Sequence, residues 1–151
     1  MRWQLLPLLV LLACCSANTN RPLSEQDELV VFLLEEGIGP SPDPDWMTCI
    51  SVDGKDPQRM ILDAIKSDGI TTFDVASSCE FVADESGSYH VGTKKKAMFV
   101  DVRILKILGD GKYLVNTSMY HHGLFGGSKE LEIKKQGGKW VLTKMHRMSV
   151  S

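Results

Sequence analysis

Histidines, cysteines and one glycine-rich loop are the residues in this chain whose types could do chemistry. The histidines are His90, His121, His122 and His146. On a strand, the adjacent His121 and His122 point to opposite faces, so they do not readily share one ion. One of them could meet His146 across a sheet, but none of the spacings that mark zinc sites occurs, and the pattern predicts no metal. No serine stands in a nucleophile elbow of the G-x-S-x-G kind, so no catalytic residue is assigned. The run Gly123-Leu124-Phe125-Gly126-Gly127-Ser128 precedes no helix, which excludes a phosphate loop, and no cofactor is expected. Its two large apolar residues either offer a contact loop or fold back onto the core as a wide hairpin. His121, His122, Leu124, Phe125, Gly126 and Gly127 are therefore the candidate binding loop. Asn116-Thr117-Ser118 spells a glycosylation sequon, but its place in a strand argues against use.

The cysteines carry a second kind of chemistry. Arg2 followed by Leu5–Ala13 forms a short positive start and an apolar run too short to span a bilayer, as in a signal peptide. Leu11-Leu12-Ala13-Cys14 resembles the lipobox of bacterial lipoproteins, although Leu12 is a less usual occupant of its position. That resemblance implies a lipid on Cys14; the alternative is ordinary cleavage after Ala17. Residues 1–13 are thus expected as leader, 14–23 as lipidated cysteine and linker, and 24–151 as one domain. Export puts Cys49 and Cys79 in an oxidising compartment, where pairing is the default and two buried free thiols the alternative. With Arg2 gone, 16 basic against 19 acidic residues leave a net charge of −3, which is no footprint for nucleic acid.

The elements that must position these residues follow from patterning. Ser24 with Asp27 forms a capping box for a helix over 25–36, whose apolar run Leu29–Leu34 belongs deep in the fold. Trp46–Val52 reads as a strand, and Asp56-Pro57 as the cap and first residue of a second helix ending at Gly69. Residues 70–79 read as extended, with a short strand over Cys79–Val82. From Ala97 to Ser149 four strand-like runs alternate with Gly-containing breaks. On the first of them Phe99, Asp101, Arg103, Leu105 and Ile107 share one face, and a bulge is expected near Lys144 on the last. Trp46 and Trp140 are expected core anchors. The fold class is α+β: an antiparallel sheet, its C-terminal part a four-strand meander, covered by two N-terminal helices.

Cys49–Pro57, Ala76–Cys79, Tyr120–Gly127, Gly138–Val141 and Met145–Ser149 occur in an order that resembles a family of small exported bacterial proteins of unknown function, often lipoproteins. The resemblance implies a compact α+β domain similar to the cystatin-like or NTF2-like group, and the place of Cys49 and Cys79 in its pattern implies their pairing. It implies no activity. The expectation is an envelope protein, membrane-tethered through its lipid and facing the periplasm, that binds an envelope protein or small ligand by the concave sheet face and the 121–128 loop. A soluble periplasmic or secreted form is the alternative location. Two other functions compete: a small NTF2-like hydrolase or isomerase using Asp101, Arg103 and a histidine, and an exported inhibitor or immunity-type protein with an apolar patch at Leu124 and Phe125.

Overall fold

Ser24 opens the first helix by a reciprocal cap. The Asp27 amide donates to Ser24 Oγ at 3.2 Å, and the Ser24 amide donates to the Asp27 carboxylate at 2.9 Å. Burial pushes this carboxyl up, but its bonds from Ser24 and the nearby Arg21 outweigh that and hold it below its ordinary value. The computed structural model describes residues 21–38, 46–67, 72–122 and 125–150; the leader, Cys14 and Leu124 lie outside these.

Helix α1 (Glu25–Ile38) buries Leu29, Val30, Leu33, Leu34 and Ile38. Strand β1 (Trp46–Val52) is followed by α2 (Arg59–Ser67), β2 (Phe73–Val75) and a 3₁₀ turn at Ala76–Ser78. Two short strands, β3 (Cys79–Glu80) and β4 (Tyr89–His90), pair antiparallel before the four long ones. These are β5 (Lys96–Gly109), β6 (Lys112–His122), β7 (Phe125–Gln136) and β8 (Lys139–Val150).

The main order across the sheet is β2-β1-β5-β6-β7-β8, with β4 on the end of β5 and β3 on β4. β1 runs parallel to both its neighbours, β2 and β5, whereas β5 to β8 pair antiparallel. The expected antiparallel sheet is therefore corrected: the fold is dominated by a mixed, eight-stranded sheet, with two α-helices among the described residues. The reason is the connection through α2. A strand–helix–strand passage brings the chain back in its original direction, so β1 and β2 must be parallel. β1 then sits inside the sheet rather than beside a separate meander.

Asp56 does not cap α2, which starts at Arg59; its carboxylate instead accepts the Ser77 amide at 3.0 Å and the Ser77 hydroxyl at 2.5 Å. α2 packs beside α1 and sends Ile61 and Ile65 into the same core as Ile50, Val100, Val102 and Val115. Leu105 is a bulged residue: Ile104 faces Val115, and Lys106 already faces Leu114. Alternation resets there, so Ile107 lies on the face of its partner Tyr113 and not with Asp101 and Arg103. On β8 the extra residues are Thr143 and His146, on either side of Lys144.

Cys49, fully buried on β1, is disulfide-bonded to Cys79 at a Cα separation of 6.4 Å. Behind the sheet, Phe81 stacks on Tyr120 at 4.5 Å and meets Phe99 edge-on.

Tyr113 ties the start of α1 to the sheet. Its hydroxyl donates to Glu25 at 2.6 Å, and that bond, with burial and the Glu25 charge, pushes the phenol up to about 12. A phenol raised in the folded state contributes stability in full below its unfolded value of about 10, and loses it as pH rises from there to 12. Tyr113 is expected to form phenolate late in an absorbance titration, and Tyr113→Phe should remove that late step. A late step surviving in the variant would assign it elsewhere.

Candidate functional site

α1 crosses the sheet over β1, β5 and β6, and its contacts with β7 and β8 are at most sparse. Two contacts pin its first turns: Tyr113 with Glu25, and Lys135 of β7 with Glu28. At its other end Gly37 meets the sheet, where an added Cβ would lie 2.7 Å from Val100 Cγ1, so the helix sinks onto β5 only because no side chain is present. The flank of α1 facing β7 and β8 is left open.

That opening is a groove of about 510 Å³. Phe32 and Leu33 form the helical wall; Thr117, Met119, Leu131 and Ile133 form the floor. Leu142, Met148 and Val150 of β8 form the rim, and they are 51%, 57% and 76% exposed. Gly126 and Gly127 complete the floor near the start of β7. A Cβ on Gly127 would lie 2.7 Å from the Ser149 carbonyl oxygen, so glycine there is what lets β8 close against β7. The lining is apolar with Glu36 and Lys129 as its charged members, and such a surface binds by excluding water rather than by moving protons.

The candidate loop divides in two. Gly126 and Gly127 line the groove; His121 and His122 do not. His121 is the extra residue of a bulge, between the pairs Tyr120–Gly126 and His122–Phe125. The expected opposite-face arrangement of the two histidines fails for that reason, and their rings meet edge to face at 5.0 Å. The His121 ring is buried, lies 4.5 Å from Trp46, and donates from Nδ1 to the Ala97 carbonyl at 2.7 Å. The buried Ser88 hydroxyl donates to the His121 carbonyl at 2.8 Å. This is a structural knot between β6 and the β4–β5 region.

Asp101 and Arg103 also take structural work. Asp101 accepts the Ser51 hydroxyl at 2.6 Å, the Gly54 amide at 2.8 Å and Arg103 Nε at 2.6 Å, holding the turn after β1. The bond to Asp101 pushes the Arg103 guanidinium further up. Neither residue, and none of the four histidines, is among the described residues lining the groove.

One polar constellation escapes sequence reading. His90 Nε2 lies 3.0 Å from Asp74 Oδ2, and Nδ1 lies 2.9 Å from the Thr93 hydroxyl. Burial pushes the Asp74 carboxyl up, but the Val75 amide, His90 and Ser78 outweigh it and hold it below its ordinary value. Hydroxyl, imidazole and carboxylate stand in the order of a nucleophile, base and orienter. The Thr93 amide also donates to Nδ1, at 3.1 Å, so the ring's lone pair is already engaged by the turn it closes. The trio locks β4 to its turn and to β2. Its members are brought together only by the fold, and no spacing in the sequence announces them.

Among the described residues no group of three or more His, Cys, Asp or Glu side chains is placed to hold a metal ion. No described helix is long and apolar enough to cross a membrane. Comparison with protein-family models, with curated proteins and with solved structures found no match for this chain.

Proposed function

We propose that this protein is a binding module of the bacterial envelope, held to the membrane by a lipid on Cys14, that takes up the apolar side chains of a protein partner between α1 and β8. The observation that carries the reading is the apolar groove, with an exposed rim on an edge strand that pairs only with β7 among the described residues. The disulfide agrees with an oxidising compartment, and the leader's resemblance to a lipobox supports the tether. The resemblance to small exported proteins points the same way. Binding is favoured over acid–base chemistry because Asp101, Arg103 and the histidines lie apart from the groove.

The test starts from protein recovered from a membrane fraction. Its intact mass is expected to begin at Cys14 with acyl groups added; a soluble species beginning near Asn18 would remove the tether. The same protein is then titrated with anilinonaphthalene sulfonate, whose fluorescence rises in apolar surroundings. Saturable enhancement is expected, lost in Leu142→Asp/Met148→Asp and kept in Ile107→Asp, which is exposed outside the groove. Enhancement that ignores the rim substitutions would rule out the groove.

A further inference from the structure

β8 is the edge of the sheet, 12 residues long and exposed almost throughout, so one row of its amide and carbonyl groups is open for another strand. Its two faces differ in chemistry. Leu142, Met145, Met148 and Val150 stand opposite Ile133, Leu131, Lys129 and Gly127, on the groove side. Lys144 and Arg147 stand opposite Glu132 and Glu130, on the other side. Glu132 is already engaged by Lys112 at 3.2 Å and His146 at 3.4 Å. Among the described residues neither Lys144 nor Arg147 has an ion-pair partner.

A second copy of this chain is a poor occupant. Residues 139–150 contain Lys139, Lys144, His146 and Arg147 and no acidic residue, so two β8 strands paired about a two-fold axis would bring like charges together. These charges reject the chain's own edge and leave the apolar row available.

We infer that β8 accepts an extended segment of a partner protein in which apolar and acidic residues alternate. It adds as a further strand, its apolar side chains over the groove and its carboxylates beside Lys144 and Arg147. This addition of a strand at an open edge is a common mode of peptide recognition, and it rests on the groove reading above while naming the partner's chemistry. Alternation follows from the strand itself, since successive side chains of the incoming segment meet the two faces in turn.

The experiment uses the full, disulfide-bonded chain and a fluorescent peptide as long as β8 in which Val and Glu alternate, read by anisotropy. Saturable binding is expected, weakened about tenfold by Lys144→Glu/Arg147→Glu, because two attractive cross-strand pairs become repulsive. The same variant should gain affinity for a second peptide in which Val and Lys alternate, while Lys106→Glu, exposed on β5, should leave both affinities unchanged. Equal binding of the Val/Glu and Val/Lys peptides to the unmodified chain would overturn the inference. So would a dimer, by sedimentation, that the β8 substitutions dissolve. If the peptide fails to bind while the dye still enters the groove, the strand-addition inference alone falls; if both fail, the groove reading falls with it.

Discussion

Replacing Cys49 and Cys79 together by alanine is expected to lower the midpoint of thermal unfolding by about 10–15 °C. The bond closes a loop of 30 residues, for which the chain-entropy relation gives about 3–4 kcal/mol, and a domain of this size loses roughly 3–5 °C per kcal/mol. Position adds to the effect. Cys49 is fully buried on β1, with β2 and β5 on either side, while Cys79 begins the short β3. β3 and β4 pair through only two register positions, so the covalent link supplies much of what holds that region to the inner sheet. Alanine is the right replacement, because serine would place an unneeded hydroxyl where Cys49 is buried. A fall of less than about 3 °C, measured by calorimetry, would show that packing around the 3₁₀ turn already imposes the constraint.

The second large effect separates two neighbours on α1. Leu34 is 0% exposed and sits within the core, so Leu34→Ala is expected to cost about 3–4 kcal/mol through lost burial and the cavity left behind. Phe32 is the larger residue but lines the open groove, where part of its surface lacks packed neighbours. Phe32→Ala should cost only about 1–2 kcal/mol, and it should raise rather than abolish uptake of the fluorescent dye by deepening the groove. Denaturant unfolding of the two variants gives both numbers. Equal costs would mean that the groove is filled in solution, and the binding proposal would lose its site.

What was legible in the sequence is local. The cap at Ser24 and Asp27 is readable because its partners are three residues apart, and the Gly137-Gly138 break falls at the β7–β8 turn. The slip in alternation around Lys144 also marks real bulges. Parallel pairing of β1 was not legible from alternation, which is the same for either direction. It follows instead from the strand–helix–strand passage, which returns residues 73–75 to the direction of β1. The bulges at Leu105 and His121 leave no compositional mark, so the faces of Ile107 and of the paired histidines were misassigned. Of the groove only Gly126 and Gly127 were within reach; its helical wall depends on how α1 sits on the sheet, where Gly37 meets Val100. The Asp74–His90–Thr93 trio joins residues 16 positions apart through two short strands, and no local pattern encodes it.

The inner place of β1 governs the order in which the chain can become folded. Trp46 to Val52 pair with Lys96 to Val102, always 50 positions further along, whereas each strand from β5 to β8 meets its successor across a short connection. The local hairpins can form as soon as they exist, but the sheet closes only when the distant early strand docks on β5, and such long-range closure is slow. Until then the edge of β1 that faces β5 and the apolar side of α1 stay uncovered. For a chain delivered N-terminus first, those surfaces wait on the last half of the polypeptide, and that interval is when the protein most depends on not meeting another copy of itself.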